Sequence, residues 1–223
     1  MHYSPAKDEC PLARDPFKAC VAPRPIAWIS TVSEDGTDNL APFSQFQIIG
    51  YSPALVMVAI KDTPDENGKS IHKDTLNNIE STRCFVYNAV TYELRESMNI
   101  TGRDFPPEID EFSKAGVHKT DSICIPAKRV EESPIQFECR CLQTLRIPGT
   151  DPSGIENTNI VIAEVVQIHI KDEFILPDGK LDYEKLKLLY RAGYTDYGVM
   201  ENTFSMVVPG VDEAHVRAME GQR

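Results

Sequence analysis

The sequence predicts a mainly β protein, a closed antiparallel barrel with added helices, and three observations carry that expectation. Short runs rich in β-branched and aromatic residues recur along the chain, turn chemistry separates them, and the strand–helix–strand alternation of a parallel sheet is nearly absent. With 223 residues, 41% hydrophobic and 26% charged, the chain is long enough for one sizeable core. Residues 1–20 are expected to form an N-terminal extension, 21–208 the domain, and 209–223 a polar tail that frays or reaches to a partner.

Pro25 to Val32 (PIAWISTV) has strand composition and runs into Ser33-Glu34-Asp35-Gly36, whose Asp-Gly pair tolerates positive φ, so a hairpin starts here. Asn39 to Ile49 resumes an extended pattern, but Pro42 cannot donate to a ladder and assigns this stretch to an edge, a bulge or an irregular segment. Ala54 to Ile60 (ALVMVAI) is continuously apolar, as in a strand buried on both faces. Lys73 to Ser81 fits a short helix with Asp74 or Thr75 as its cap, and Cys84 to Ala89 a further strand. Tyr92 to Gly102 and Ile109 to Gly116 are helical or irregular, the second closed by Gly116. Ile135 to Leu145 and Asn159 to Ile170 are strands, with a Pro- and Gly-rich loop from Ile147 to Asn157 between them. Leu176 to Gly179 is a turn, and Leu186, Leu188, Leu189 and Tyr190 suggest one face of a short helix over Tyr183 to Tyr190.

The net charge of -11 disfavours nucleic acid and anionic membrane surfaces as partners, and no stretch approaches the apolar length of a membrane helix or a signal peptide. A cytoplasmic location follows as the expectation. Six thinly spread cysteines fit reduced thiols. Cys139 and Cys141 would share one strand face, as buried core or, against the usual two-residue spacing, as a metal or redox pair. His72, His118, His169 and His215 form no ligand-spaced pair, so no metal is expected. No dinucleotide fingerprint follows a strand, and no phosphate-binding Walker loop is present.

Two polar clusters carry candidate chemistry. Ser30 and Thr31, with Asn39 to Phe46 (NLAPFSQF), place hydroxyls and an amide on facing arms of one hairpin, suited either to a polyol and phosphate or simply to the turn itself. Lys73-Asp74-Thr75 with Asn78 at a helix N-terminus offers a cation, a hydroxyl and open amides to a dianion, or a solvated cap. Trp28 fits the core or a ligand ring; His72 fits solvent or an anion.

In this order, Arg24 to Thr31 (RPIAWIST), Asp35-Gly36, Asn39 to Phe46, Lys73 to Ile79 (KDTLNNI) and Phe85 to Asn88 (FVYN) resemble the flavin-reductase-like, FMN-binding split-barrel family. The likeness continues through Glu132 to Cys139, the Asn159 to Ile170 strand and Tyr190 to Gly193, and so spans roughly residues 20–200. It implies a six-stranded antiparallel Greek-key barrel, a homodimer, and FMN at the subunit interface with NAD(P)H as donor. By the same resemblance Ser30, Thr31, Lys73 and Thr75 face phosphate and ribityl chain, Asn39, Ala41, Phe43 and Ser44 line the isoalloxazine, and Asp74 and Asn78 support them. No side chain need act as nucleophile or base, because the flavin carries the electrons. The implied activity is a flavin reductase, or alternatively a flavoredoxin-like electron carrier or flavin-binding module. One departure is Arg191-Ala192-Gly193-Tyr194, where the family shows a second glycine; Arg191 reaches flavin or partner, or pairs with surface acids.

Overall fold

The β1–β2 hairpin, Ala27–Val32 and Asp38–Phe43, sets the geometry on which the rest is built. Its turn places Gly36 at φ +89°, a region that favours glycine over any side chain. The structure is a computed structural model that describes residues 1–150, 156–206, 209–212, 214 and 215. Five further long strands follow: β3 (Phe46–Tyr51), β4 (Ala54–Lys61), β5 (Cys84–Ala89), β6 (Ile135–Ile147) and β7 (Thr158–Ile170). They pair antiparallel in the order β2-β1-β5-β6-β7-β4-β3.

Only Ser44 and Gln45 separate β2 from β3, which lie at opposite ends of that order. One bent segment therefore joins both ends of the sheet, and the Ala59 amide donates to Gln45 O at 2.8 Å, which closes the sheet toward a barrel. The ladder position lost at Pro42 falls on β2, whose one named ladder neighbour is β1, as the sequence anticipates.

Alternation along the strands sends Ala27, Ile29, Val56, Val58, Ile60, Phe85, Cys139 and Val161 inward. Helix α1 (Asp74–Thr82) contributes Leu76 and Ile79 to the same core. Cys139 and Cys141 are both buried there, and burial pushes both thiols up, so they behave as core side chains. The outer faces of β1 and β2 build a second core, in which Trp28 and Leu40 meet Met98 of α2 (Arg95–Ile100), Phe112 of α3 (Glu111–Ala115) and Leu189. Trp28 has no exposed surface and its indole N–H donates to Thr101 Oγ1 at 2.8 Å, the partner a buried indole requires. Gly116 ends α3 at φ +67°.

Away from α1, Glu138 of β6 is wholly buried and accepts from the amides of Ile123 (2.7 Å) and Cys124 (2.6 Å) and pairs with His169 Nε2 (2.7 Å). Burial would raise its pKa, but those bonds outweigh it and hold the carboxyl below its ordinary value.

Four expectations are corrected. β4 buries one face, not two: Val56, Val58 and Ile60 point inward while Leu55, Met57 and Ala59 are half-exposed on the outer surface. The helix near Tyr183 stops at Leu186 because Lys187 turns left-handed (φ +44°), and Leu189–Arg191 is a strand paired with Arg24–Pro25 and Tyr197–Val199. Neither Asp74 nor Thr75 caps α1; Lys73 occupies the cap without a side-chain bond. Arg191 contacts the Tyr194 carbonyl and the Tyr197 ring, with no acid paired to it among the described residues. The Ile147 to Asn157 loop and the tail after Pro209 fall partly outside the described residues.

Candidate functional site

A cleft of about 570 Å³ opens where β2 bends, within the size range of small-molecule sites. One wall is the face of β2 that carries Asn39, Ala41 and Phe43, brought together by the two-residue period of the strand. The second is the start of α1, with Lys73, Asp74 and Thr75. The third is the segment from Thr101 to Pro107 together with Glu111 of α3.

Because Lys73 O takes the amides of Leu76 and Asn77, the amides of Asp74 and Thr75 are left without a partner among the described residues. They give this wall the partial positive charge of a helix start, beside the Lys73 ammonium. Lys73 Nζ lies 3.5 Å from Asp104 Oδ1 across the cleft. Burial raises the Asp74 pKa, and Lys73 opposes that rise.

Behind the walls runs a buried polar chain. Asn39 Nδ2 donates to Glu111 Oε1 at 2.8 Å, and Asn39 Oδ1 accepts from Thr75 (2.9 Å) and Thr31 (3.3 Å). Thr31 Oγ1 in turn accepts from Asn78 Nδ2 at 3.0 Å. The Leu40 amide donates to Glu111 Oε2 at 3.1 Å. Burial, with Asp74 repulsion, nevertheless raises the Glu111 pKa over the effect of those bonds.

Of the sequence-derived site residues, Asn39, Ala41, Phe43, Lys73, Asp74 and Thr75 meet at the cleft, and Asn78 lines an adjoining recess with Asn39 and Asp74. Thr31 is fully buried one layer behind. Ser30 does not join them: it follows the opposite face of β1, where its hydroxyl donates to Lys128 O at 2.6 Å and accepts from Asn88 at 3.1 Å. Ser44 sits at the bend outside the cleft lining, 3.5 Å from Arg24 Nε. His72 is not simply solvated either, since its Nδ1 lies 2.8 Å from Asp62 Oδ1. Glu111 was not anticipated; it lies 72 residues from Asn39 and no local pattern marks it.

A barrel closed by one bent segment, with a cleft at the bend, defines a split-barrel protein. The chain belongs to the flavin reductase like domain family, whose model matches residues 20–193. It is 34% identical over 173 residues to an uncharacterized protein of Aquifex aeolicus, covering 78% of this chain and 82% of that one. Among solved structures it is similar to 2-nitrobenzoate 2-nitroreductase of Pseudomonas fluorescens (TM-score 0.77, 26% identity, 94% and 97% of the two chains). Nitrilotriacetate monooxygenase component B of Bacillus cereus shares the fold (TM-score 0.80, 24% identity, 92% and 98% covered). The class is that of flavin-related oxidoreductases, and among the described residues no helix is long and apolar enough to cross a membrane.

Proposed function

We propose that the protein is an FMN-dependent oxidoreductase of flavin-reductase type, passing electrons from NAD(P)H through FMN to a flavin or another acceptor. The observation that carries this reading is the cleft itself, with open helix amides and Lys73 at one wall and the Ala41 and Phe43 face along another. These residues fit the group: a phosphate suits the amides of Asp74 and Thr75 with Lys73, and a flat, mostly apolar ring suits the β2 face. FMN, when bound, supplies the hydride and electron chemistry. The chain binds, orients and shields it, while Glu111 fixes Asn39 and Asn39 fixes Thr75. Anaerobic stopped-flow absorbance tests the reading: reduction of bound FMN by NADH or NADPH is expected. A flavin oxidised with both nucleotides yet reduced by a protein donor would make the chain an electron carrier instead.

The same reading makes the chain a cytoplasmic homodimer. Its support is the outer face of the barrel, where Leu145, Ile160 and Ala59 align across three strands beside Ile162 and Met57. Leu145 is 47% exposed there, and a second copy would cover this apolar ladder. Light scattering is expected to give twice the chain mass of 25.0 kDa; a monomer overturns the dimer.

A further inference from the structure

We infer that the cavity between α2 and the Tyr197–Val199 strand is a second ligand site, one that takes a small aromatic carboxylate. None of the residues lining it lines the flavin cleft, and none belongs to β4, β6 or β7, so the inference stands apart from the flavin and dimer readings. Its volume is about 230 Å³. A dry cavity of roughly 150 Å³ already admits benzene, so one substituted ring fits.

Most of the wall is apolar. Met98 comes from α2, Leu189 and Val199 from two paired strands, and the partly exposed rings of Tyr92 and Tyr197 complete it. Gly198 keeps the cavity open, since a Cβ there would collide with the Tyr190 ring packed against it. One cation lines the cavity: the Arg95 guanidinium lies over the Tyr92 ring, 4.0 Å from its centroid, and Nη1 donates to Tyr92 O at 2.8 Å. Its Nε is 3.4 Å from Glu96 Oε1, a solvent-exposed and hence weak pair. Nη2 has no partner among the described residues and is left to donate to an incoming carboxylate.

A second arginine stands beside the cavity without lining it. Arg191 lies over the Tyr197 ring, 4.3 Å from its centroid, and donates to the Tyr194 carbonyl, so it holds that ring and adds positive charge nearby. These two features set the ligand class. A chain of net charge -11 repels polyanions, and a single carboxylate is the charge that one open guanidinium nitrogen matches. The rest of the ligand is a ring, because two tyrosine faces and edges reward aromatic contact beyond the area it buries.

Methyl NMR titrations of the full chain with benzoate, benzamide and acetate test this. Benzoate is expected to shift the methyl signals of Met98, Leu189 and Val199 saturably while that of Ala41, in the flavin cleft, stays in place. Benzamide, which lacks the charge, and acetate, which lacks the ring, are expected to bind roughly tenfold more weakly. Arg95→Gln is expected to erase the preference for benzoate over benzamide. The Arg95 side chain is 39% exposed, so the variant keeps the fold, and the comparison of the three ligands in the wild type needs no variant at all. The inference is overturned if the three methyl signals show no saturation with benzoate below about 10 mM. Equal affinity for benzoate and benzamide overturns it as well, as does a shift confined to Ala41 or an unchanged preference in Arg95→Gln.

Discussion

Two glutamates are buried to nearly the same depth, Glu138 with no exposed surface and Glu111 5% exposed, yet their pKa values move in opposite directions. Glu138 accepts two short amide bonds and faces His169, so its negative charge is matched at every side. Glu111 also accepts two bonds, but one comes from the neutral Asn39 side chain and Asp74 adds repulsion from across the cleft. Depth of burial does not separate a structural clamp from a site residue; the balance of partners does.

The largest expected effect is at the clamp. Glu138→Gln should cost about 3 kcal/mol, because a buried, fully bonded charge is replaced by an amide that turns an N–H toward a backbone donor. Thermal unfolding followed by circular dichroism would show it, and Cys124 should react faster with thiol reagents as the Ile123 and Cys124 amides lose their anchor. Next comes Lys73→Ala, expected to weaken FMN by about 2 kcal/mol, roughly 30-fold, while riboflavin is unchanged. An equal loss for both flavins would place Lys73 outside the phosphate site.

Glu111→Gln should cost roughly 1.5 kcal/mol of stability, and its pH dependence is the sharpest test of the comparison. The folded Glu138 pKa is lowered, so its contribution is present above the ordinary glutamate value and is lost as pH falls toward the lowered one. The folded Glu111 pKa is raised, so its contribution is present below the ordinary value and is lost as pH rises through the raised one. Urea unfolding across that range should therefore give wild-type-minus-variant differences of opposite slope for the two positions; parallel slopes break the distinction. The smallest effect is Ser30→Ala, about 1 kcal/mol of stability with flavin affinity intact, since its hydroxyl serves Lys128 and Asn88.

The pattern of the sequence carried the hairpin at Gly36, the edge position of Pro42, the Gly116 cap and α1 to within one residue at either end, because each depends on local backbone chemistry. Ser30 was misplaced although the strand period alone separates it from Thr31: adjacent residues of a strand face opposite sides. β4 misled because its outer face is apolar too, which erases the alternation that normally reports one-sided burial. Glu111 and the Asp62 partnership of His72 were illegible for another reason. The first spans 72 residues, and only the folded chain brings Asn39 and Glu111 together; the second is set by the register of a short hairpin, in which Thr63 pairs with Ile71, and that run carries no strand pattern of its own.

The bent segment that joins β2 to β3 also bears on how such a barrel avoids sticking to its neighbours. A sheet that ends in open strands invites edge-to-edge aggregation, and here the two terminal strands are consecutive parts of one chain segment, joined through Ser44 and Gln45. Pro42 removes a donor from one strand, and the register shift between Ile48 and Gly50 disrupts the ladder of the other. The cleft at the bend is thus flanked by two features that disfavour its borders as templates for a foreign strand.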